Sequence, residues 1–303
     1  MRFGIDFGGT NLKTGLFTEQ GEIIKFEENK LSKFTNQGNL LKALIKFSRD
    51  FIEGFSVTKG GLAIKGLVNT YTGYVMEDIG AGELLAGINL AKVFSESLNI
   101  PFIIENDARA YALGEWKFGA GRNTDNMVCI TLGTGLGCAA IVNGQPFRGA
   151  DVFGGLLGGH ISIDRNGPEC SCGNRGCLEL YCSATALNAR VKKNHPELNI
   201  YKEALPRFFE KVKENKFYRT TLEKFQDDLA IGIVNLIHAY NPDLVVLGGD
   251  VLKSSNLIMP RLIEIVHRRA WTYPRGKVQI KASELGNKAA ALGVAFHPEL
   301  ENK

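Results

Sequence analysis

Residues 1–17 read MRFGIDFGGTNLKTGLF, two apolar runs separated by the turn Gly8-Gly9-Thr10. The runs at residues 2–7 and 12–17 have the character of buried strands, and the polar stretch that follows turns the chain into a third run at residues 22–27. The pattern predicts a hairpin of strand, glycine turn and strand. It excludes the dinucleotide-binding fingerprint, which requires a helix directly after its glycines.

The same pattern returns about 125 residues later in the chain. Residues 128–142 read VCITLGTGLGCAAIV, in which the turn Gly133-Thr134-Gly135 separates two apolar runs. Glycine turns expose backbone N–H groups without a nearby Cβ, so each turn can bind a phosphate, although each alone is equally consistent with a simple tight turn. Duplication of the whole unit predicts two similar domains, each contributing one phosphate-binding turn.

Residues 160–179 read HISIDRNGPECSCGNRGCLE and hold half of the six cysteines of the chain. Three thiolates and one imidazole form a closed structural zinc site, and the predicted ligands are Cys170, Cys172, Cys177 and His160. The alternatives are a disulfide or ordinary buried thiols, which the absence of a secretory signal and the regular spacing argue against. Such a metal would shape a surface, and it would hold Glu179 in place.

Length, composition and charge restrict the class of protein. A chain of 303 residues has room for two ordinary domains, and 44% apolar with 22% charged residues is typical of a soluble globular protein. The 36 basic and 32 acidic residues are scattered, which argues against nucleic-acid binding. The beginning of the chain lacks the apolar core of a signal peptide, and no apolar run reaches the length of a membrane helix. We therefore expect a cytoplasmic protein without a membrane partner.

The stretch Glu105-Asn106-Asp107 lies where a predicted strand, residues 101–104, meets a predicted helix, residues 108–118. Ligands bind at the carboxyl ends of strands in open α/β sheets, so this acidic turn is a candidate site. The alternative is that Asp107 only caps the helix.

The remaining pattern is that of an α/β protein. Two further close-approach glycines, Gly248 and Gly249, follow an apolar strand. A polar, glycine-rich step near residues 119–126 predicts a small domain over 1–118 and a larger one over 119–303. The last helix, residues 288–296, is expected to pack back on the small domain. Helices are also predicted at 39–55, 89–98, 183–193, 203–214, 220–240 and 257–268, and strands at 61–64, 243–247 and 278–281.

Together these motifs, in this order, resemble the ROK family of sugar kinases and regulators, within the hexokinase–actin–Hsp70 class of folds. The resemblance covers essentially the whole chain, and its specific part is the His160 and cysteine cluster. It implies an α/β fold of two actin-like (ribonuclease H-like) domains around a central cleft. It also implies ATP as a substrate, Mg²⁺ as a cofactor and a structural Zn²⁺.

The resemblance also implies roles for individual residues. Asp107 corresponds to the catalytic base. Apart from the resemblance, Asp6 is the predicted magnesium ligand, because a carboxylate at the end of the first strand can hold Mg²⁺ through water. The expected sugar-binding residues are Gly66, Asn106, Asp107, His160 and Glu179. The expected ATP-binding residues are Gly8, Gly9, Thr10, Asn11, Thr134, Gly135, Gly248 and Gly249.

Three positions depart from the family pattern, and all three concern the sugar. Leu157 stands where the family has a Glu that binds hydroxyls near C1 and C2. Lys65 precedes Gly66 in place of the usual Pro, and Leu84 replaces an Asn of a sugar-contacting stretch. Asn89 and Glu83 are candidates to supply the missing contact. The motifs for the phosphates and the base are intact, so kinase chemistry is better supported than any particular sugar.

The leading hypothesis is a kinase that transfers the γ-phosphoryl of MgATP to the 6-hydroxyl of a hexose, with glucose favoured. N-acetylmannosamine, N-acetylglucosamine, fructose or a β-glucoside are alternative substrates. A non-catalytic sugar-binding protein or a transcription regulator is an alternative of a different class. The regulators of the family carry a helix-turn-helix ahead of the first glycine motif, where this sequence has five residues before Asp6. Homodimers are usual in the family, which is the expectation here by analogy.

Overall fold

The computed structural model describes residues 1–36, 38–77, 85–150, 158–200 and 204–301. The chain forms two compact units. The described residues of the first unit lie within Met1–Asn123, Gln145–Leu156 and Glu284–Lys303, and those of the second within Thr124–Gly144 and Leu157–Ser283. The sequence predicted a division at residue 118 with the last helix packing back on the small domain. The contacts also assign a segment within Gln145–Leu156 to the first unit.

The first unit contains a five-stranded mixed sheet. Its strands are β1 (Arg2–Phe7), β2 (Asn11–Phe17), β3 (Ile23–Lys30), β4 (Lys59–Ile64) and β7 (Phe102–Asn106), in the order β3-β2-β1-β4-β7. A separate hairpin is formed by β5 (Leu67–Asn69) and β6 (Tyr74–Glu77). The helices are α1 (Ser32–Thr35), α2 (Leu40–Ile52), α3 (Leu90–Leu98), α4 (Asp107–Phe118), α10 (Ala289–Ala295) and α11 (Pro298–Glu301).

The second sheet repeats this arrangement. Its strands are β8 (Met127–Leu132), β9 (Leu136–Val142), β10 (Gln145–Pro146), β11 (Leu244–Gly248) and β12 (Gln279–Ala282), in the order β10-β9-β8-β11-β12. The helices of the second unit are α5 (Glu179–Cys182), α6 (Ala184–Asn194), α7 (Ala204–Val212), α8 (Lys216–Tyr240) and α9 (Ser255–Arg269).

The duplication predicted from the two glycine turns is confirmed by the pairing of the strands. In each sheet the strand before the glycine turn pairs antiparallel with the strand after it, β1 with β2 and β8 with β9. On its other side each of these first strands pairs in parallel, β1 with β4 and β8 with β11. Both glycine turns therefore sit at the same place in equivalent sheets.

Side chains alternate between the two faces of strand β1, and both faces are buried. Phe3, Ile5 and Phe7 belong to the apolar core that the sheet shares with helices α2 and α3. Gly4 lies on the other face, where an added Cβ would collide with the carbonyl oxygen of Ala291 on helix α10. The alanine-rich helix α10 therefore packs on β1 at backbone contact distance, which brings the last part of the chain into the first unit.

Most predicted elements are present, and their boundaries differ where a cap decides them. Helix α8 begins at Lys216, four residues earlier than predicted, because Asn215 caps it by accepting a hydrogen bond from the backbone N of Phe217. Helix α4 begins at Asp107. Within the described residues, no helix combines the length and apolar character required to cross a membrane.

Candidate functional site

The first glycine turn is anchored at its base and exposed at its tip. The backbone N of Gly8 donates to the carbonyl oxygen of Asn11 at 3.1 Å, and the N of Leu31 donates to that of Thr10 at 2.9 Å. Gly9 and Thr10 are exposed, and a Cβ added at Gly9 would meet nothing within 4 Å. An anchored turn with exposed backbone N–H groups can bind an anion such as phosphate.

Asp6, the predicted magnesium ligand, is buried at the end of β1 and forms an ion pair. The Nζ of Lys13 lies 3.0 Å from its Oδ2. Burial raises the pKa of Asp6, and the positive charge of Lys13 acts in the opposite direction. A cation at Asp6 would therefore share the carboxylate with Lys13, a residue to which the sequence analysis gave no role.

The second glycine turn is held by the start of helix α6. The backbone N of Ala184 donates to the carbonyl oxygen of Gly133 at 2.8 Å, and the hydroxyl of Thr185 donates to that of Thr134 at 2.7 Å. These contacts fix the turn from behind. They were not foreseen because Ala184 and Thr185 lie about 50 residues farther along the chain.

Glu179 also contacts this turn. Its Oε2 accepts a hydrogen bond from the backbone N of Leu136 at 2.7 Å, and a Cβ added at Gly135 would collide with the same oxygen. Glu179 was predicted to bind sugar hydroxyls. The structure places one of its two carboxylate oxygens against the second glycine turn, so Glu179 joins the cysteine loop to that turn.

Gly248 and Gly249 end strand β11 close to the second glycine turn. Gly249 has a φ of 91°, and an added Cβ would lie 2.5 Å from the carbonyl oxygen of Leu132. Both the backbone conformation and the space therefore require glycine at this position. The predicted role of these glycines, contact with the adenosine of ATP, remains a prediction.

The predicted metal ligands converge. The side-chain ligand atoms of His160, Cys170, Cys172 and Cys177 all lie within 4.8 Å of one another. The Sγ of Cys170 is 3.6 Å from the Nδ1 of His160, and the sulfurs of Cys172 and Cys177 are 3.7 Å apart. Ligands about 2.3 Å from a tetrahedral zinc ion lie about 3.8 Å from one another, so the spacing fits zinc.

The loop that carries these ligands is built on backbone hydrogen bonds. The N of Ile163 donates to the oxygen of Gly176 at 2.9 Å, and the N of Leu178 donates to that of Ile161 at 2.9 Å. Gly176 has a φ of 63°, and an added Cβ would collide with the backbone of Asp164. Burial and the neighbouring thiols raise the pKa of Cys177 to about 12. A metal ion that displaces this proton would lower the charge repulsion in the cluster.

Asn106, rather than Asp107, caps helix α4. The Oδ1 of Asn106 accepts from the backbone N of Ala108 at 3.1 Å and from that of Arg109 at 3.2 Å. Its Nδ2 donates to the oxygen of Gly66 at 3.2 Å and to the Oδ1 of Asp107 at 3.2 Å. Asp107 is therefore not the N-cap residue, although its Oδ1 also accepts from the backbone N of Ala108, at 2.9 Å. Asp107 is the half-buried first residue of the helix, and Asn106 and Gly66, both predicted to bind sugar, lie beside it.

A buried ionic network, absent from the sequence analysis, surrounds Glu105 next to this turn. The carboxylate of Glu105 is 0% exposed. Its Oε1 accepts from the backbone N of Asn106 and from the Nε of Arg109, both at 2.7 Å. Its Oε2 lies 2.7 Å from the Nη2 of Arg148 and 3.1 Å from the Nε2 of His297.

The electrostatics of this network favour the charged carboxylate. Burial by itself raises the pKa of Glu105, but the hydrogen bond from His297 and the charges of Arg109 and Arg148 outweigh burial. The pKa of Glu105 therefore lies well below its usual range. The spacing of Glu105 and Arg109, one helical turn, was the only local sign of the network.

Several residues at which the sequence predicted sugar contacts, or departures from them, do not contribute to the site described here. Leu84, Glu83 and Leu157 lie outside the described residues. Asn89 is described, and its Oδ1 caps helix α3 by accepting from the backbone N of Lys92 at 3.0 Å. The oxygen of Asn89 is thus already engaged.

The structure brings the predicted residues into separate groups within each unit. In the first unit, Asp6 lies beside the Gly8–Asn11 turn, and Gly66, Asn106 and Asp107 are clustered. In the second unit, the metal cluster and Glu179 lie next to the turn that contains Thr134 and Gly135.

Comparison with known proteins gives a family match over nearly the whole chain. The model of the ROK family matches residues 2–297. The chain is 30% identical over 304 residues to a glucokinase of Thermotoga maritima, covering 96% of this chain and 95% of that protein.

A regulator is also among the relatives. The chain is 34% identical over 210 residues to the xylose repressor of Bacillus subtilis. This match covers 69% of the chain and 53% of the repressor, so about half of the repressor has no counterpart in it.

Among solved structures, a ROK family glucokinase from Streptomyces griseus in complex with glucose and AMPPNP is similar in sequence and fold. It is 26% identical, with a TM-score of 0.83 and coverage of 97% of both chains. The two equivalent five-stranded sheets are thus those of the actin-like fold.

Proposed function

Because the chain belongs to the ROK family, we propose that it is a sugar kinase that transfers the γ-phosphoryl of MgATP to the 6-hydroxyl of a hexose, glucose being the first candidate. The observation that carries this proposal is the carboxylate of Asp107. It stands at the first position of helix α4, where its Oδ1 accepts from the Nδ2 of Asn106 and the backbone N of Ala108, in a fold with two anchored glycine turns. The glucokinase relatives add to this support.

Phosphoryl transfer depends mainly on how the protein positions the substrates and neutralises their charge. Asp107 would accept the proton of the sugar hydroxyl. The hydroxyl oxygen would attack the γ-phosphorus while the bond between that phosphorus and the bridging oxygen of ADP breaks. The turns Gly8–Asn11 and Gly133–Gly135 would hold the phosphates by backbone N–H groups. Gly248 and Gly249 would lie against the adenosine. Mg²⁺ bound with ATP would neutralise phosphate charge, and Asp6 is its candidate protein contact.

The cluster of His160 and three cysteines is proposed to hold a structural zinc ion. The distances between the ligand atoms support this proposal, as does the donor set. Its effect on activity would pass through Glu179, whose carboxylate reaches the second glycine turn. His160 and Glu179 would also contact sugar hydroxyls, by the family resemblance.

Sugar-dependent ADP release over a panel of sugars tests the proposed activity. Release of ADP with at least one hexose, abolished in Asp107→Ala, is the expected result. Saturable sugar binding with no ADP release for any sugar would instead favour a regulatory protein, in line with the xylose repressor relative.

Glucose specificity needs its own experiment because Leu157 replaces an acidic residue of the family pattern. A hydroxyl desolvated against leucine lacks a partner, at a cost of about 1–3 kcal/mol. We expect weak discrimination at C1 and C2 and a high KM for glucose. The test compares kcat/KM for glucose, 2-deoxyglucose, mannose, N-acetylglucosamine and a β-glucoside, in the wild type and in Leu157→Glu. A strong glucose preference that Leu157→Glu does not improve would show that another residue reads this edge.

A further inference from the structure

The buried network around Glu105 has no part in the chemistry proposed above, yet it borders the candidate base. Its carboxylate contacts one nearby group, on Arg109, and two groups from remote parts of the chain, on Arg148 and His297. Arg109 lies on helix α4, Arg148 follows strand β10, and His297 precedes helix α11. The network therefore converges on the residue two positions before Asp107.

The proton positions within the network follow from one backbone contact. The backbone N of Glu299 donates to the Nδ1 of His297 at 3.1 Å, so Nδ1 carries no proton. The proton of the neutral ring is then on Nε2, which donates to Glu105. The Nη2 of Arg148, 3.1 Å from Nε2, is also a donor, so both groups must point at the same carboxylate oxygen.

Arg148 extends the network to the turn between β5 and β6. Its Nη1 donates to the hydroxyl of the buried Thr70 at 3.2 Å. Its guanidinium carbon lies 5.7 Å from the centre of the Tyr71 ring. One side chain thus connects the hairpin of the first unit to the carboxylate beside the candidate base.

Stability alone explains such a network poorly. Removing charged groups from water is costly, and a buried ionic cluster is often no more stable than apolar side chains of similar size. What an apolar residue at position 105 could not do is accept the backbone N–H of Asn106. That hydrogen bond fixes the peptide between Glu105 and Asn106, one residue before the candidate base.

We propose that Glu105 is a positioning residue for Asp107. Held by Arg109, Arg148 and His297, its carboxylate fixes the peptide that leads into helix α4, and so sets where the carboxylate of Asp107 stands. This inference rests on the proposed kinase function. A displacement of a catalytic group by about 1 Å lowers a rate on the order of 100-fold, so the effect should fall on kcat.

The main variant is Glu105→Gln, which keeps the shape and one acceptor oxygen. Its amide NH₂ would face the donors of Arg148 and His297 or the N–H of Asn106, so the network cannot be satisfied as before. We expect kcat to fall about 10- to 100-fold while the KM values for sugar and ATP stay within about threefold.

A milder pair of variants serves if Glu105→Gln does not fold. His297→Leu keeps the bulk of the side chain and removes the donor, and His297→Gln restores a donor. We expect kcat to fall in His297→Leu and to recover in His297→Gln, which a purely space-filling role of His297 would not produce.

Glu115, on the helix that begins at Asp107, provides a matched control. It is also 0% exposed, and its carboxylate accepts backbone N–H groups of Ala120, Glu284 and Leu285. Glu115→Gln therefore perturbs a buried carboxylate of helix α4 away from Asp107. If it lowers kcat as much as Glu105→Gln does, the effect of Glu105 is only structural and the inference is overturned.

Hydrogen exchange of the backbone separates this inference from the proposed function, since it needs no turnover. Glu105→Gln should speed amide exchange at residues 106–109 at least tenfold relative to wild type, and Glu115→Gln should not. Unchanged exchange there would overturn the inference even in an active enzyme. Faster exchange in a protein without kinase activity would support the positioning of Asp107 and refute the kinase function.

Discussion

Removing the carboxylate of Glu179 should weaken ATP binding as well as sugar binding. The Oε2 of Glu179 accepts the backbone N–H of Leu136 at 2.7 Å and lies against Gly135, so it supports the second glycine turn. A hydrogen bond to a charged group contributes about 1.5–3 kcal/mol. Because Glu179 is half-buried, we take the lower end, about 1.5 kcal/mol, which corresponds to about a tenfold change in affinity.

The assay is calorimetric titration of a non-hydrolysable ATP analogue, which reports equilibrium affinity directly. Glu179→Ala should raise the Kd about tenfold, and Glu179→Gln, which keeps an acceptor oxygen, about threefold or less. Thr185→Val removes another anchor of the same turn, the hydrogen bond to the oxygen of Thr134, and should act in the same direction. If Glu179→Ala weakens sugar binding and leaves the affinity for the analogue unchanged, Glu179 does not support ATP binding through the second glycine turn.

Three further predictions concern the base, the metal and alkaline stability. Asp107→Asn should leave the melting temperature unchanged, because Asn106 supplies the helix cap. It should lower kcat about 10²–10⁴-fold. Near-normal turnover in this variant would show that Asp107 is not the catalytic base. Cys172→Ser should reduce bound zinc from about one ion per chain, lower the melting temperature and raise the KM for sugar. Metal analysis of the purified protein checks the zinc content. A wild-type protein with disulfide-bonded thiols and no zinc would contradict the proposed zinc site. Burial and the hydrogen bond to Glu197 raise the pKa of Tyr218 to about 12, so its contribution to folding is present below about pH 10 and lost as the pH rises towards 12. The free energy of unfolding, measured with urea, should therefore fall less between pH 9 and pH 11 in Tyr218→Phe than in the wild type. An equal fall in both proteins would show that the pKa of Tyr218 is not raised.

The parts of the fold that depend on short stretches of sequence were predictable. Gly8-Gly9-Thr10 and Gly133-Thr134-Gly135 specify tight turns by their own composition, and the apolar runs on either side specify strands. Since both hairpins have the same layout, even the equivalence of the two sheets could be inferred. The convergence of Cys170, Cys172 and Cys177 with His160 was also local, because the four lie within one loop.

What could not be predicted depends on pairs of residues that are far apart in the chain. His297 is 192 residues from Glu105, and Arg148 is 43 residues from it. Nothing in the spacing of these residues indicates that they meet. The choice of Asn106 over Asp107 as the cap was hidden for another reason: both residue types cap helices well, and only the backbone geometry decides between them.

The return of helix α10 to the first sheet has a consequence for how the protein is made. This helix approaches β1 and α4 closely at Gly4, Gly114 and Gly293. A Cβ added at any of these glycines would collide with the backbone of the facing element. While a ribosome is still adding residues before 289, the first sheet has one face without its helix, and its apolar surface stays exposed. The second unit, complete at Ser283, has all of its strands and helices earlier. We therefore expect the core of the first unit to be completed only after the second unit has been synthesised, although the first unit contains the beginning of the chain.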